Sequence, residues 1–138
     1  MKAFTRKALL VGSVAAGLSV ALAGPALAEG SWSSSISGAH NGFSSRSWQD
    51  NHRDAAATVT SMSSCSVTGR PFNSVGVTLY DEMGAFPDYR VGGWAQACGS
   101  WNFGTMTRPD GYHFTIESIN GSESNPYPFN AGSVVQNY

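Results

Sequence analysis

The chain has 138 residues, with 8 Lys+Arg and 9 Asp+Glu, enough for one domain built around a single core. Three of the basic residues, Lys2, Arg6 and Lys7, precede residue 29, whereas every acid lies at or after it, so residues 29–138 hold five arginines, no lysine and nine acids, a net charge of −4. That balance argues against nucleic acid or an anionic membrane surface as partner, because both are bound through clustered cations.

Residues 1–28 read as a secretory signal peptide. The three basic residues form its positive start, and the apolar run over residues 8–23 is too short and too rich in Ala and Gly for a membrane span. Gly24-Pro25 breaks the segment, and Ala26-Leu27-Ala28 makes an A-x-A cleavage site. No cysteine follows the apolar run, and the chain ends in the polar Gln136-Asn137-Tyr138, so neither lipid attachment nor wall sorting is expected. The expected product is residues 29–138, extracellular, released and without a membrane span.

That product lacks any long 3.6-residue apolar period. Short runs of β-forming residues are separated by Gly, Pro and Asn, which predicts an all-β fold, a small antiparallel sandwich or barrel. In chain order, a strand is expected over residues 43–48, then a Thr-rich one over 57–62 that leads into Cys65. Val75, Val77 and Leu79 alternate with Gly76, Thr78 and Tyr80, the pattern of a half-buried strand. Residues 91–98 carry Trp94 and deliver Cys98. Tyr112, Phe114 and Ile116 alternate with His113, Thr115 and Glu117, the clearest period of two in the chain. Residues 133–138 would close the domain. Pro109-Asp110-Gly111 has turn chemistry, and Asn120-Gly121 favours positive φ.

Cys65 and Cys98 are the only cysteines. In an exported domain they are expected to pair, joining two sheets or two strands distant in sequence. Two free thiols, or half of a metal site, are the alternatives; zinc would need two further ligands, and no C-x-x-C or H-x-x-x-H spacing supplies them.

Residues that could carry chemistry are sparse. Asp50, Asn51 and Asp54 offer hard oxygen ligands for calcium in one loop, against the plainer reading that their side chains accept bonds from nearby backbone N–H groups. No other cofactor is indicated. His40, His52 and His113 stand among many serines, but no nucleophile motif accompanies them. Asp81, Glu82, Asp88 and Glu117 supply acids for glycoside hydrolysis only in the loosest sense, since Asp81-Glu82 reads as the polar end of a strand. No residue is assigned a catalytic role. The aromatics are more informative. Trp94, inside a strand, is expected to pack in the core near the disulfide. Trp101 and Phe103, just past Cys98, together with Trp48, are the candidate ligand-binding residues, because exposed aromatics on a small β-domain stack on sugar rings or anchor protein partners.

Two resemblances rest on these residues. The run Gly42-Phe43-Ser44-Ser45-Arg46-Ser47-Trp48-Gln49-Asp50, with Cys65-Ser66, Val77-Thr78-Leu79-Tyr80, Pro87-Asp88, Cys98 and Gly111-Tyr112-His113-Phe114-Thr115-Ile116, resembles small secreted two-cysteine domains of actinobacteria. That likeness brings no activity with it. Glu29-Gly30-Ser31-Trp32 and Gly92-Gly93-Trp94-Ala95 are similar to segments of the lactococcin 972-like bacteriocins, which are small exported β-sandwiches; this chain departs from them in length and in its long C-terminal part. The function expected from the residues is a non-catalytic binding module directed at an extracellular glycan or protein surface. The resemblance implies the alternative, an antimicrobial factor of bacteriocin type.

Overall fold

The computed structural model describes residues 29–138; the expected signal peptide lies outside the described residues. Among these, nine strands and no helix are found: β1 (Ser31–Ala39), β2 (Phe43–Ser44), β3 (Trp48–Asp50), β4 (Val59–Val67), β5 (Val75–Asp81), β6 (Tyr89–Gln96), β7 (Ser100–Asn102), β8 (Asp110–Ile119) and β9 (Phe129–Asn137). Accordingly, no helix of the described residues is long and apolar enough to cross a membrane. The strands form two antiparallel sheets. One has the order β1-β9-β4-β7; in the other, β2-β8-β5-β6, strand β3 also pairs with β8.

Alternation decides which side of each strand meets the other sheet. On β5, Val75, Val77 and Leu79 are fully buried, and on β8 Tyr112, Phe114 and Ile116 are at most 1% exposed. Their neighbours Tyr80, His113 and Glu117 form the opposite, outer face. The first sheet contributes Ile36, Met62, Val67, Phe129, Ala131 and Val134 to the same core. Each fully buried Val, Leu, Ile or Phe contributes roughly 1.5–3 kcal/mol relative to exposure. On one flank, Trp32 of β1 lies over Phe114 of β8, with ring centroids 6.2 Å apart, and near Trp48 of β3 at 6.1 Å. The other flank brings β7 beside β6, where Trp94 meets Phe103 at 5.4 Å.

Strand β4 contains an irregularity that the disulfide depends on. Thr60 and Met62 point inward, but Ser64 adopts left-handed φ of 53°, and beyond it Cys65 and Val67 take the inward positions. The partner strand changes phase at the same level: Met62 is opposite Val134, while Cys65 is opposite Ala131 and Val67 opposite Phe129. Cys65 thereby faces Cys98, in the link between β6 and β7, with a Cα–Cα distance of 5.7 Å, and the two form a disulfide. The bridge ties β4 to the corner where the chain leaves one sheet for the other. The cysteine pairing expected from the sequence is what the structure contains, although Cys98 lies in the link between β6 and β7 and not on a strand.

Several expected elements are redrawn. Residues 43–48 do not form one strand but two short ones, β2 and β3, separated where Ser45 bonds through both N–H and Oγ to the backbone of Phe114. The 57–62 strand runs on through Cys65, whereas Cys98 falls beyond β6. Pro109-Asp110-Gly111 is no turn: Asp110 and Gly111 already pair with Asp50 and Gln49. Asn120 and Gly121 do take positive φ, 52° and 77°, in a tight turn closed by reciprocal bonds between Ile119 and Ser122.

Candidate functional site

The aromatic residues occupy different places from those expected. Trp101 is fully buried and Trp48 is 5% exposed, so neither presents a binding face; Phe103 is half-buried. Trp94, expected in the core, is instead 42% exposed. The physical reason is position within the sheet. Trp101 sits opposite Thr60 on the inner side of the first sheet, covered by the second. Trp94 sits opposite Val77, also on the inward side, but β6 is the outermost strand and the facing sheet ends in the three-residue β7. The last indole is therefore only partly covered.

Trp94 is one member of a row. Tyr89 (63% exposed) and Val91 (37%) precede it on β6, and Phe86 (73%) lies in the loop just before the strand. Strand β6 pairs with β5 alone, and Val91 is an extra residue in that ladder, since Leu79 is opposite Gly92 and Tyr80 opposite Arg90. Such a bulge kinks an edge and hinders strand addition by another chain. The carbonyl oxygen of Trp94 is also occupied, accepting the Trp101 indole N–H at 3.0 Å. The outer edge of β6 is thus interrupted at Val91 and at Trp94, and aromatic surface stands exposed beside it. The Trp94 ring is oriented by Phe103 beneath it and by donation from Nε1 to Gln96 Oε1 at 3.1 Å.

Of the candidate calcium ligands, the Asp50 and Asp54 side chains serve the backbone. Asp50 Oδ1 accepts the N–H of His52 at 2.8 Å, and Asp54 Oδ1 accepts that of Ala56 at 2.7 Å. Glu29 accepts the N–H groups of Asn51 and Arg53. Among the described residues, no three His, Cys, Asp or Glu side chains are grouped to hold a metal.

The outer face of β5 and β8 carries a polar network that sequence reading left scattered. His113 Nδ1 lies 3.0 Å from Glu82 Oε1, and Ser47 donates its hydroxyl to the same oxygen. Tyr80 stacks on His113 and donates to Glu117, which also accepts from Thr78 at 2.8 Å. The hydrogen bond to Glu117, with burial, raises the Tyr80 phenol above its ordinary pKa. A hydrolytic triad needs serine bonded to histidine and histidine to the acid. Here the acid stands between serine and histidine, so the Ser-His-acid order of such a triad is not met. Asp81 does end a strand, β5, as read from the sequence, but it is only 2% exposed. Burial raises its carboxyl pKa, against the opposing effect of Arg108, whose Nε is 3.6 Å away.

Comparison with family models, with curated proteins and with solved structures returned no match. The margin of β6 is therefore judged on its own chemistry. Periodicity could reveal which side of the pleat Trp94 occupies; only the strand order reveals that the side is incompletely covered.

Proposed function

We propose that this chain is an exported, non-catalytic binding module that recognises a cell-surface glycan through the aromatic margin of β6. One observation carries the reading: Tyr89 and Trp94 of β6, with Phe86 in the loop that leads into the strand, stand exposed, while Trp48 and Trp101 are buried and Trp32 is partly buried against the core. Exposed aromatic rows on small folded proteins mark interaction sites, and an indole held in one orientation offers its face to a sugar ring with little ordering cost. The bulge at Val91 and the occupied Trp94 carbonyl favour stacking over strand addition. The signal peptide and the disulfide support an extracellular setting, and the acidic balance disfavours nucleic acid.

The test is retention of purified protein on insoluble glycans and bacterial envelopes, beside Trp94→Ala and Tyr89→Ala. Retention by the unaltered protein, reduced at least fivefold by either substitution, is expected. Equal retention of all three proteins would remove β6 from consideration, and no retention of any would sink the glycan reading. The bacteriocin-type alternative would use the same apolar row against a target cell. It predicts growth inhibition of related bacteria by pure protein, and an inactive panel ends it.

A further inference from the structure

At one end of the sandwich, away from the β6 aromatics in sequence, the β4–β5 and β8–β9 loops enclose an open cleft of about 540 Å³. Its principal charged group is Arg70. The guanidinium carbon lies 4.3 Å from the centroid of the Tyr127 ring, and Nη2 donates to the Tyr127 hydroxyl at 3.0 Å. Of the five described arginines, Arg90 and Arg108 lie within ion-pair distance of carboxylates, whereas Arg46, Arg53 and Arg70 do not.

The walls are fixed independently of any ligand. Asn120 joins the loops, accepting the N–H of Asn73 at 2.7 Å and donating to the Pro71 carbonyl at 2.9 Å. Asn125 holds Tyr127 by accepting its N–H at 2.9 Å and donates to the Ile119 carbonyl at 2.9 Å. The cleft is thus preformed, with Pro71, Pro126 and the Tyr127 ring as stiff apolar walls and the Asn73 amide facing the same space.

We propose that this cleft binds an acidic sugar through a single carboxylate paired with Arg70. Stacking on Tyr127 and the bond to its hydroxyl orient the planar guanidinium, and its remaining N–H groups form the fork that matches a carboxylate. The volume suits a compact ligand of this kind. One cation without a second cationic neighbour in the lining matches one carboxylate better than a phosphate, and the amide and apolar walls suit hydroxyls and the faces of a sugar ring. The inference uses residues separate from the β6 margin and does not depend on it.

The experiment follows amide shifts of the 15N-labelled protein during titration with D-glucuronate, D-glucose and inorganic phosphate. Expected are saturable shifts at residues 69–73 and 122–127 with glucuronate, at least tenfold weaker binding of glucose and of phosphate, and unchanged glucuronate binding in Trp94→Ala. Arg70→Gln should abolish the response, and Arg70→Lys, which keeps the charge without the fork, should weaken it about tenfold. Equal response to phosphate or glucose, absence of glucuronate shifts at these loops, or full binding by Arg70→Gln would each overturn the proposal.

Discussion

The indole N–H of Trp101 is bonded to the main-chain carbonyl of Trp94 at 3.0 Å, so the buried tryptophan holds in place the strand that displays the exposed one. Trp101→Phe removes that donor, leaves the Trp94 carbonyl without it and opens space in a fully packed site. The expected cost is about 2–4 kcal/mol in urea unfolding, with faster hydrogen exchange concentrated in β6. Uniformly faster exchange across both sheets would show that the bond has no local role.

The disulfide closes a separation of 33 residues, for which the chain-entropy account gives roughly 3–4 kcal/mol. Mass measurement with alkylation before and after reduction should find two thiols only after reduction. Reduced protein should unfold at lower urea by an amount matching that energy; an unchanged midpoint would contradict it.

Two adjacent glycines on β6 give opposite expectations. A Cβ at Gly93 would lie 2.6 Å from the Cα of Thr78 and 2.7 Å from the Val77 carbonyl oxygen, backbone atoms that cannot swing aside, whereas a Cβ at Gly92 meets nothing within 4 Å. Gly93→Ala should cost about 2 kcal/mol or more, and Gly92→Ala should stay within about 0.5 kcal/mol of the parent. Similar thermal midpoints for both would refute this packing of β6 on β5.

Burial, with the nearby Asp81 carboxylate, pushes the Tyr112 phenol up to about 12, and its hydroxyl donates to the Arg108 carbonyl at 2.7 Å. The unfolded chain releases this proton near pH 10 while the folded one retains it. Stability should therefore fall as pH rises from about 10 to about 12, by at most roughly 1.4 kcal/mol per pH unit from this group. Urea midpoints of Tyr112→Phe across that range should show the slope reduced; an identical slope would exclude Tyr112 as its source.

Much of the architecture was legible because side-chain alternation is a local signal. Tyr112, Phe114 and Ile116 announced β8, and Asn120-Gly121 announced its turn. β1 escaped because its serines lack strand character and its two buried residues, Ile36 and Ala39, are three apart, a spacing imposed by register shifts against β9. The exchange of roles between Trp94 and Trp101 escaped for a different reason. Which strand is outermost, and how far the opposite sheet reaches, follow from the pairing of β5 with β6 and of β4 with β7, and no short window of sequence contains that pairing. The Arg70 cleft likewise unites loops separated by about fifty residues.

Gly30 and Tyr138 exchange two backbone hydrogen bonds, at 2.8 and 3.0 Å, beside the β1 flank, where Tyr138 also stacks on Trp48. Both ends of the folded domain thus leave from one place, and β6 runs along the opposite flank. A tether, a fusion partner or a solid support attached at either end would hold the domain by its back and leave the aromatic margin pointing away from the point of attachment.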